Sequence, residues 1–349
     1  MPNRKKLNAT KEKLSARLLR TDARGRVVAM AAALTKAAAG KYSGRNVFGI
    51  GVARKITAGK LTDEPCVRLY VVQKIRSLSK IPPSARVPKM IDGVPTDIVE
   101  APPARFHMRN SDLADSNCSA HRQELRRPIY GGISAAHYKV NRTTLGCFCS
   151  SRNAKDAGRT YMLSCNHAFA NMNDCVKSDP ILQPGRGDGG GSSQDGDVAG
   201  RLARWVTLHL DGATPNFVDA AIAEVESGVK VQNEICMIGP LAGTRAARAN
   251  MRVRKHGCRT GYTEGVVDYL NFDWTIQYGS SNWVHVTKQL HIVPHGYPSF
   301  ALPGDSGSVV VAGDSGDAVG LYIAGADDGS YGIASPIGSV CRALKISIP

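Results

Sequence analysis

Residues 301–311 read ALPGDSGSVVV, a serine between two glycines that is followed by three valines. The valines are typical of a buried strand and the glycines of a tight turn, so we expect Ser306 at the start of a strand. A serine hydroxyl becomes a strong nucleophile when a nearby base takes its proton and a carboxylate orients that base. A nucleophilic role for Ser306 therefore requires a histidine and an acid in suitable settings elsewhere.

His167 has the most suggestive setting among the nine histidines. It lies in TYMLSCNHAFAN, where an apolar run ends abruptly. A base that directly follows a rigid strand is held firmly, which suits general-base catalysis. Among the others, His107 and His121 fall in a polar segment, whereas His285 and His291 lie in strands of alternating apolar residues. A structural role is the ordinary alternative for any single histidine.

Asp219 is the acid with the most unusual setting, because NFVDAAIAEV surrounds it with apolar residues. Burying an aspartate is costly unless a partner compensates for the lost hydration, and an imidazole N–H is such a partner. A strand-edge aspartate that faces solvent is the alternative. We therefore expect a hydrogen bond between Asp219 and His167, with Ser306 in the next part of the fold.

The order His167, Asp219, Ser306 is that of the chymotrypsin family and differs from the orders in subtilisin and the α/β-hydrolases. Five motifs resemble those of trypsin-like serine peptidases in the same order along the chain: LSCNHAFA, VDAAIA, VRKHGCRTGYTEGVV, GDSGS and GLYIAG. With IDGVPTDIVE and RPIYGGIS added, the chain is similar to bacterial cytosolic-type members that have an N-terminal extension, and to the plant narrow-leaf protein. The resemblance covers residues 44–349.

The resemblance implies a role for each residue of the motifs. His167 would be the general base, Asp219 the carboxylate that orients it, and Ser306 the nucleophile. The backbone N–H groups of Gly304 and Ser306 would hold the oxyanion. The glycines have a physical task, since Gly304 allows a strained turn and Gly307 leaves room beside the serine.

The specificity pocket is less well defined by the motifs. Phe300 lies six residues before the nucleophile, where digestive relatives have the base of the pocket. Because Phe300 is not an acid, the resemblance implies no preference for Lys or Arg at P1, and we expect a small or apolar P1 residue. Ala324 and Gly325 are the other residues expected to line the pocket. Asp305 is interpreted as a structural neighbour of the serine.

Short apolar runs separated by Gly-, Asn- and Asp-rich breaks follow one another from Pro128 onward, which is typical of barrels and sandwiches. We predict a mostly β chain with two six-stranded antiparallel β-barrels of chymotrypsin type, preceded by a helical basic arm and a small α+β module. The predicted segments are the basic arm (1–43), the α+β module (44–102), a linker (103–127), the first barrel (128–232), and the second barrel with a C-terminal helix and strand (233–349).

Positive charge is concentrated in the first part of the chain. The net charge is +16, and residues 1–60 contain 15 Lys and Arg against Glu12 and Asp22. Such an arm binds nucleic acid, an anionic surface or an acidic partner, or is a solvated tail. We recognise no secretory signal and no span long enough for a membrane, so we predict a cytoplasmic protein. The predicted partners are a protein or peptide substrate, nucleic acid bound through residues 1–60, and a second copy or a regulatory protein.

The chain has nine cysteines, an odd number, which we interpret as free thiols in a reducing compartment. Their spacing lacks the C-x₂₋₄-C pairs of a structural zinc site. The acids of the glycine-rich stretch GRGDGGGSSQDGD (185–197) lack the spacing of a calcium-binding EF-hand loop. We therefore predict neither a metal nor another cofactor.

The leading hypothesis is a serine endopeptidase with narrow or conditionally activated specificity. Two alternatives stay open: a non-catalytic binding module that keeps the protease scaffold, and a nucleic-acid-responsive protein that acts through the basic arm. Labelling of Ser306 by a fluorophosphonate distinguishes an enzyme from a scaffold. Salt-sensitive binding that is lost with residues 1–40 would indicate the nucleic-acid function.

Overall fold

The computed structural model describes residues 2–19, 46–57, 60–75, 81, 86–103, 118, 120–191, 196–278 and 282–349. Much of the predicted basic arm, most of the predicted linker and His107 lie outside these ranges. The chain divides into two compact units, one of residues 1–104, 209–217 and 269–289, the other of residues 105–208, 218–268 and 290–349. None of the helices in the described ranges has the length and hydropathy that crossing a membrane requires.

The helices described are α1 (Arg4–Leu18), α2 (Asn166–Phe169) and α3 (Ile337–Leu344). The strands, in chain order, are β1 (Val47–Thr57), β2 (Lys60–Val71), β3 (Met90–Ile91), β4 (Val94–Glu100), β5 (Ile129–Gly131), β6 (Ala136–His137), β7 (Cys147–Ser151), β8 (Thr160–Ser164), β9 (Pro180–Leu182), β10 (Val198–Trp205), β11 (Asp211–Asn216), β12 (Ala221–Val225), β13 (Val231–Ile235), β14 (Gly243–Thr244), β15 (Arg252–Gly257), β16 (Gly261–Tyr278), β17 (Asn282–Pro294), β18 (Val309–Ala312), β19 (Asp317–Gly325), β20 (Gly332–Pro336) and β21 (Ile346–Ser347).

Helix α1 packs on the first unit because its leucines are spaced seven and four residues apart, which places them on one face. Leu7, Leu14 and Leu18 are buried against the sheet that β1 and β2 form. Lys11 lies on the same buried face, where its ammonium pairs with Asp273 and donates to Asn271 Oδ1 at 3.1 Å. Burial lowers the pKa of Lys11 against the attraction of Asp273. The predicted helical N-terminal segment is confirmed over Arg4–Leu18.

The sheet of the first unit joins N-terminal strands to a later part of the chain. Strands β1 and β2 form an antiparallel hairpin, β2 pairs in parallel with β4, and β3 pairs antiparallel with β4. On its other side β1 pairs with β16, with Gly49 opposite Trp274. Strand β11 pairs in parallel with β17, with Asn216 opposite Val286. Residues 269–289 therefore extend the module that the N-terminal strands begin.

The second unit contains a seven-stranded sheet that positions His167. Its order is β21-β7-β8-β12-β10-β9-β6, and every neighbouring pair is antiparallel. Six of these strands lie in residues 136–225, and β21 adds the last strand of the chain. Strand β12 is buried over Ala221, Ile222 and Ala223, which fits the apolar run AAIA.

The strands that carry Ser306 form a closed set of six. Strand β15 pairs with β16 and β18, β18 with β19, β19 with β20, β20 with β17, and β17 with β16. Each strand thus has two neighbours within the set, which is the pairing of a barrel. The predicted mostly β fold is confirmed, although the sheet that positions His167 has seven strands and not six. The chain ends with helix α3 and strand β21.

The expectation of free thiols is wrong for two of the nine cysteines. Cys118 and Cys236 form a disulfide across 118 residues of sequence. Their spacing gives no indication of this, because the fold alone brings the segment before β5 to the residue after β13. The other cysteines are free, and all but Cys175 are buried: Cys66, Cys147, Cys149, Cys165, Cys175, Cys258 and Cys341.

Candidate active site

His167 and Asp219 form a buried pair. His167 Nδ1 lies 2.6 Å from Asp219 Oδ2, and both side chains are fully buried. Because an ionised carboxylate only accepts hydrogen bonds, Nδ1 is the protonated nitrogen and Nε2 carries the lone pair of the neutral ring. This is the tautomer that a general base needs.

The backbone around His167 explains why the pair is rigid. Asp219 Oδ1 accepts from the N–H of Asn166 at 2.7 Å and from the N–H of His167 at 3.3 Å. These N–H groups begin helix α2 and have no partner inside a helix, so the carboxylate satisfies donors that the helix leaves open. Asn166 Nδ2 also donates to Val206 O at 2.7 Å. The aspartate thus holds both the imidazole and the turn that carries it.

Ser306 lies in a turn that packs against the end of β8. Its Oγ donates to Ile323 O at 3.2 Å, and the side chain is fully buried. Gly307 N–H and Cys165 Sγ both donate to Tyr322 O, at 2.9 and 3.1 Å. The residue after the serine therefore lies beside Cys165, two residues before His167. The fold brings the three predicted residues into one region of the second unit.

The N–H groups of Gly304 and Ser306 are the predicted oxyanion donors. Asp305 N–H, between them, donates to Leu302 O at 3.0 Å. Within the part of the chain that the structure describes, neither Gly304 N–H nor Ser306 N–H has an acceptor. Gly304 has φ +113°, a conformation that requires glycine.

Asp305 is enclosed by donors and does not reach the histidine pair. Its Oδ1 accepts from the N–H groups of Arg259 and Thr260 at 2.9 and 3.1 Å. Its Oδ2 accepts from Thr260 Oγ1 at 2.7 Å, Leu302 N–H at 2.9 Å and Lys255 Nζ at 3.2 Å. A carboxylate with this many donors fixes the residue next to it in the chain, which is Ser306.

Ionisation states around Asp305 follow from burial and from one ion pair. Burial opposes ionisation of Asp305, but Lys255 and the donors of Leu302 and Thr260 outweigh it, so the pKa of Asp305 is lowered. Burial and the charge of Lys255 lower the pKa of His256 to about 4. Because this pKa lies well below physiological pH, the His256 ring is neutral there, and its Nδ1 donates to Gly132 O at 3.0 Å.

The predicted pocket residues lie together, but an aromatic residue between them occupies the space. Phe300 and Tyr322 are fully buried, with ring centroids 6.2 Å apart in a T-shaped arrangement. A Cβ on Gly325 would come 2.6 Å from the Tyr322 hydroxyl, and a Cβ on Gly332 would come 2.8 Å from both rings. Ala324, also fully buried, precedes Gly325 at the end of β19. The Tyr322 ring therefore occupies the space between Phe300 and Gly325.

One potential metal-binding site is formed by Cys165, His167 and Asp219. The atoms that could coordinate an ion, one from each residue, lie within 4.8 Å of one another. Cys165 Sγ donates to Tyr322 O, and burial raises the pKa of this thiol well above its ordinary value. A metal needs the thiolate, and it would also displace the short bond between His167 and Asp219. The contacts favour an acid–base pair over a metal centre.

The other sequence candidates have structural partners. Exposed His121 pairs with Glu124, and His285 Nδ1 lies 2.7 Å from Thr275 Oγ1. Asp188 of the glycine-rich stretch accepts from Ser134 Oγ at 2.7 Å and forms a buried ion pair with Arg142. Asp188 is thus neutralised by the protein, whereas Asp195 lies outside the described residues.

No family model and no curated protein matches the chain. Among solved structures, the chain is similar to a glutamic-acid-specific serine protease that is described as using a histidine triad in substrate binding. The two sequences are 16% identical, the match covers 63% of this chain and 100% of that chain, and the TM-score is 0.45. It is similar to Cellulomonas bogoriensis chymotrypsin at 17% identity, 63% and 98% coverage and a TM-score of 0.43. A Nocardiopsis protease gives 16% identity, 63% and 98% coverage and a TM-score of 0.44. At these identities and TM-scores the similarities carry no argument about activity.

Sequence reasoning missed two residues that shape the site: Lys255 and Tyr322. Lys255 lies in the alternating strand VRKHG, where a lysine at a buried position indicates an ion pair. Tyr322 lies within GLYIAG, two residues before Ala324, the first of the two small residues that were predicted to line the pocket.

Proposed function

We propose that the protein is a serine endopeptidase on a chymotrypsin-type scaffold, with Ser306 as nucleophile, His167 as general base and Asp219 as the orienting carboxylate. The observation that carries the proposal is the 2.6 Å bond between His167 Nδ1 and Asp219 Oδ2 in a fully buried setting. That bond selects the tautomer whose Nε2 accepts a proton. It also stabilises the imidazolium that forms.

The chemistry follows from these groups. As Ser306 Oγ attacks the carbonyl carbon of the substrate, Nε2 of His167 takes the hydroxyl proton. The oxyanion of the tetrahedral intermediate accepts from the N–H groups of Gly304 and Ser306. The imidazolium then donates its proton to the leaving amine, and an acyl-enzyme remains. Water reverses the sequence with the same base and releases the carboxylate product.

The proposed substrate preference is a small residue at P1. The rings of Tyr322 and Phe300 fill the space between the predicted pocket residues, as the contacts of Gly325 and Gly332 indicate. Full burial of Ser306 and His167 supports conditional activity, because a substrate must displace part of the surrounding structure.

An activity-based probe tests the proposal. We expect an alkyl fluorophosphonate to label the wild-type protein at Ser306, located by peptide mass spectrometry, and neither Ser306→Ala nor His167→Ala to be labelled. Ser315→Ala is the control for loss of a hydroxyl, because the Ser315 hydroxyl bonds Asp317 within its own turn. Labelling of Ser306→Ala at the wild-type rate would overturn the assignment, and no labelling of the wild type with peptide or partner added would favour the scaffold hypothesis.

We also propose that the basic N-terminal segment binds a polyanion, with nucleic acid as the candidate. The observation in its favour is that Arg4, Lys5, Lys6 and Lys13 are exposed on α1, whose leucine face is buried. Binding of a 20-nucleotide single strand should weaken steeply between 50 and 200 mM salt and be lost in a Lys5→Glu/Lys6→Glu variant. Binding that does not depend on salt would contradict it.

The cytoplasm is kept as the proposed compartment. The disulfide between Cys118 and Cys236 points in the other direction, because structural disulfides persist mainly in oxidising compartments. Alkylation of the thiols in cells that are lysed directly into denaturant with the alkylating reagent decides between the two. Nine alkylated cysteines would support the cytoplasm, and seven would support an oxidising compartment.

A further inference from the structure

Arg122 is a buried arginine in the segment between β4 and β5. Its side chain is 5% exposed. Its Nε donates to Cys258 O and its Nη2 to Arg259 O, both at 2.9 Å. Cys258 and Arg259 belong to the turn between β15 and β16, the same turn that donates N–H groups to Asp305. Arg122 and Asp305 therefore bind opposite sides of one turn.

Two consecutive peptide units connect the arginine to the aspartate. In the first, the Cys258 carbonyl accepts from Arg122 and the N–H of Arg259 donates to Asp305. In the second, the Arg259 carbonyl accepts from Arg122 and the N–H of Thr260 donates to Asp305. A cation at the carbonyl end polarises each peptide and strengthens the bond that its N–H makes to the anion. The two units thus couple the guanidinium to the carboxylate beside Ser306.

We propose that Arg122 is a positioning residue for the proposed peptidase site, acting through the Cys258–Thr260 turn on Asp305 and so on Ser306 and the oxyanion donors. The inference rests on the proposed function and goes beyond it, since it makes the segment between β4 and β5 part of the site. Arg122 touches neither substrate nor reacting atoms. Its contribution is the orientation of the serine turn, which is needed only when the oxyanion forms.

The segment that carries Arg122 is held at several points. Cys118, four residues earlier, is bound to Cys236 by the disulfide. Arg122 O accepts from Ser134 N–H at 2.7 Å, and Gln183 Nε2 donates to Glu124 O at 2.7 Å. These anchors lie outside the Cys258–Thr260 turn. They keep the guanidinium in place without using the turn itself.

The test uses the full-length protein with Arg122→Gln, Arg122→Lys and Arg122→Gly. We expect Arg122→Gln to lower the rate of fluorophosphonate labelling at saturating probe, and kcat on a peptide substrate, by about 10- to 100-fold with KM little changed, because charge-assisted hydrogen bonds are lost. Arg122→Lys should recover only part of the rate, since an ammonium lacks the two-pronged geometry. Added ethylguanidinium should restore activity to Arg122→Gly.

The matched control is Arg127→Gln, which removes a cation from the same segment. Arg127 bonds Gln183 Oε1 at 2.7 Å and makes no bond to the Cys258–Thr260 turn among the described residues. Its labelling rate should equal that of the wild type. Thermal unfolding shows whether each variant is folded, and rescue by ethylguanidinium reports positioning even where stability falls. If the wild type is labelled and Arg122→Gln is labelled at the same rate, the inference about Arg122 is overturned and the proposed function stands. If the wild type is not labelled, the proposed function is overturned.

Discussion

The ammonium of Lys255 lies 3.2 Å from the carboxylate of Asp305, the residue before Ser306, and both side chains are fully buried. A buried pair of this kind contributes less through its attraction than through the penalty for losing one partner. The arrangement places a strong structural constraint immediately next to the proposed nucleophile. Its removal should therefore affect both the stability of the fold and the reactivity of the serine.

Replacing Lys255 by methionine should destabilise the fold by about 3–5 kcal/mol, because Asp305 is left as an uncompensated buried charge. Urea unfolding in a Ser306→Ala background, where self-cleavage cannot interfere, measures the change. Lys177→Met is the control, because Lys177 is exposed. The double variant Lys255→Met/Asp305→Asn should regain part of the loss. Equal stability of Lys255→Met and Lys177→Met would show that the pair is unimportant.

Replacing Gly307 by alanine should be far more harmful than a change at another glycine with positive φ. Gly307 has φ +97°, and a Cβ there would lie 2.3 Å from Thr144 O and 2.1 Å from Ser164 Oγ. Gly158 has φ +77° with nothing within 4 Å, so Gly158→Ala reports backbone strain alone, about 1–2 kcal/mol. We expect Gly307→Ala to cost about 2 kcal/mol more and to slow labelling of Ser306 at least tenfold. Equal unfolding midpoints would contradict the close approach.

Replacing Tyr322 by valine should enlarge the space between Phe300 and Gly325 and shift the P1 preference. We expect the ratio of kcat/KM for a phenylalanine P1 substrate over an alanine P1 substrate to rise by about tenfold or more. Tyr322→Phe keeps the ring and is the matched control, with a ratio close to that of the wild type. A wild type that already prefers phenylalanine would contradict the proposed small P1 residue.

His256 should make stability depend on pH. Because its pKa is about 4 in the folded state and near the ordinary 6.5 when unfolded, the unfolded chain binds the proton first. Stability should therefore fall as pH drops from about 6.5 to about 4, by about 3 kcal/mol in total, and then level off with respect to this group. Urea unfolding at intervals between pH 7 and 4, in the Ser306→Ala background, measures this dependence.

His256→Asn keeps a donor for Gly132 O and removes the titrating ring, so its stability should fall less over the same range. Exposed His121→Asn is the control and should follow the parent protein. A parallel pH dependence of the parent and His256→Asn would show that His256 does not titrate in this window.

Much of the strand pattern and of the candidate site was open to prediction from the sequence. Short apolar runs between Gly-, Asn- and Asp-rich breaks indicated the strands, and an aspartate among apolar residues pointed to a partner such as His167. The free-thiol expectation failed at Cys118 and Cys236, and the space beside Phe300 proved to be occupied by Tyr322. Local patterns report burial, but they do not report which buried groups meet.

The positions of the strands and the need of Asp219 for a partner follow from residues close together in the chain. They reflect side-chain direction and the cost of burying a charge. Asp305 pairs with Lys255, 50 positions earlier in the chain, and Arg122 bonds a turn 136 positions later. The ring that contacts Gly325 belongs to Tyr322, three positions earlier. Spacing in the sequence does not reveal such contacts. They are set by the packing of whole strands and turns, where each bond depends on the position of many others.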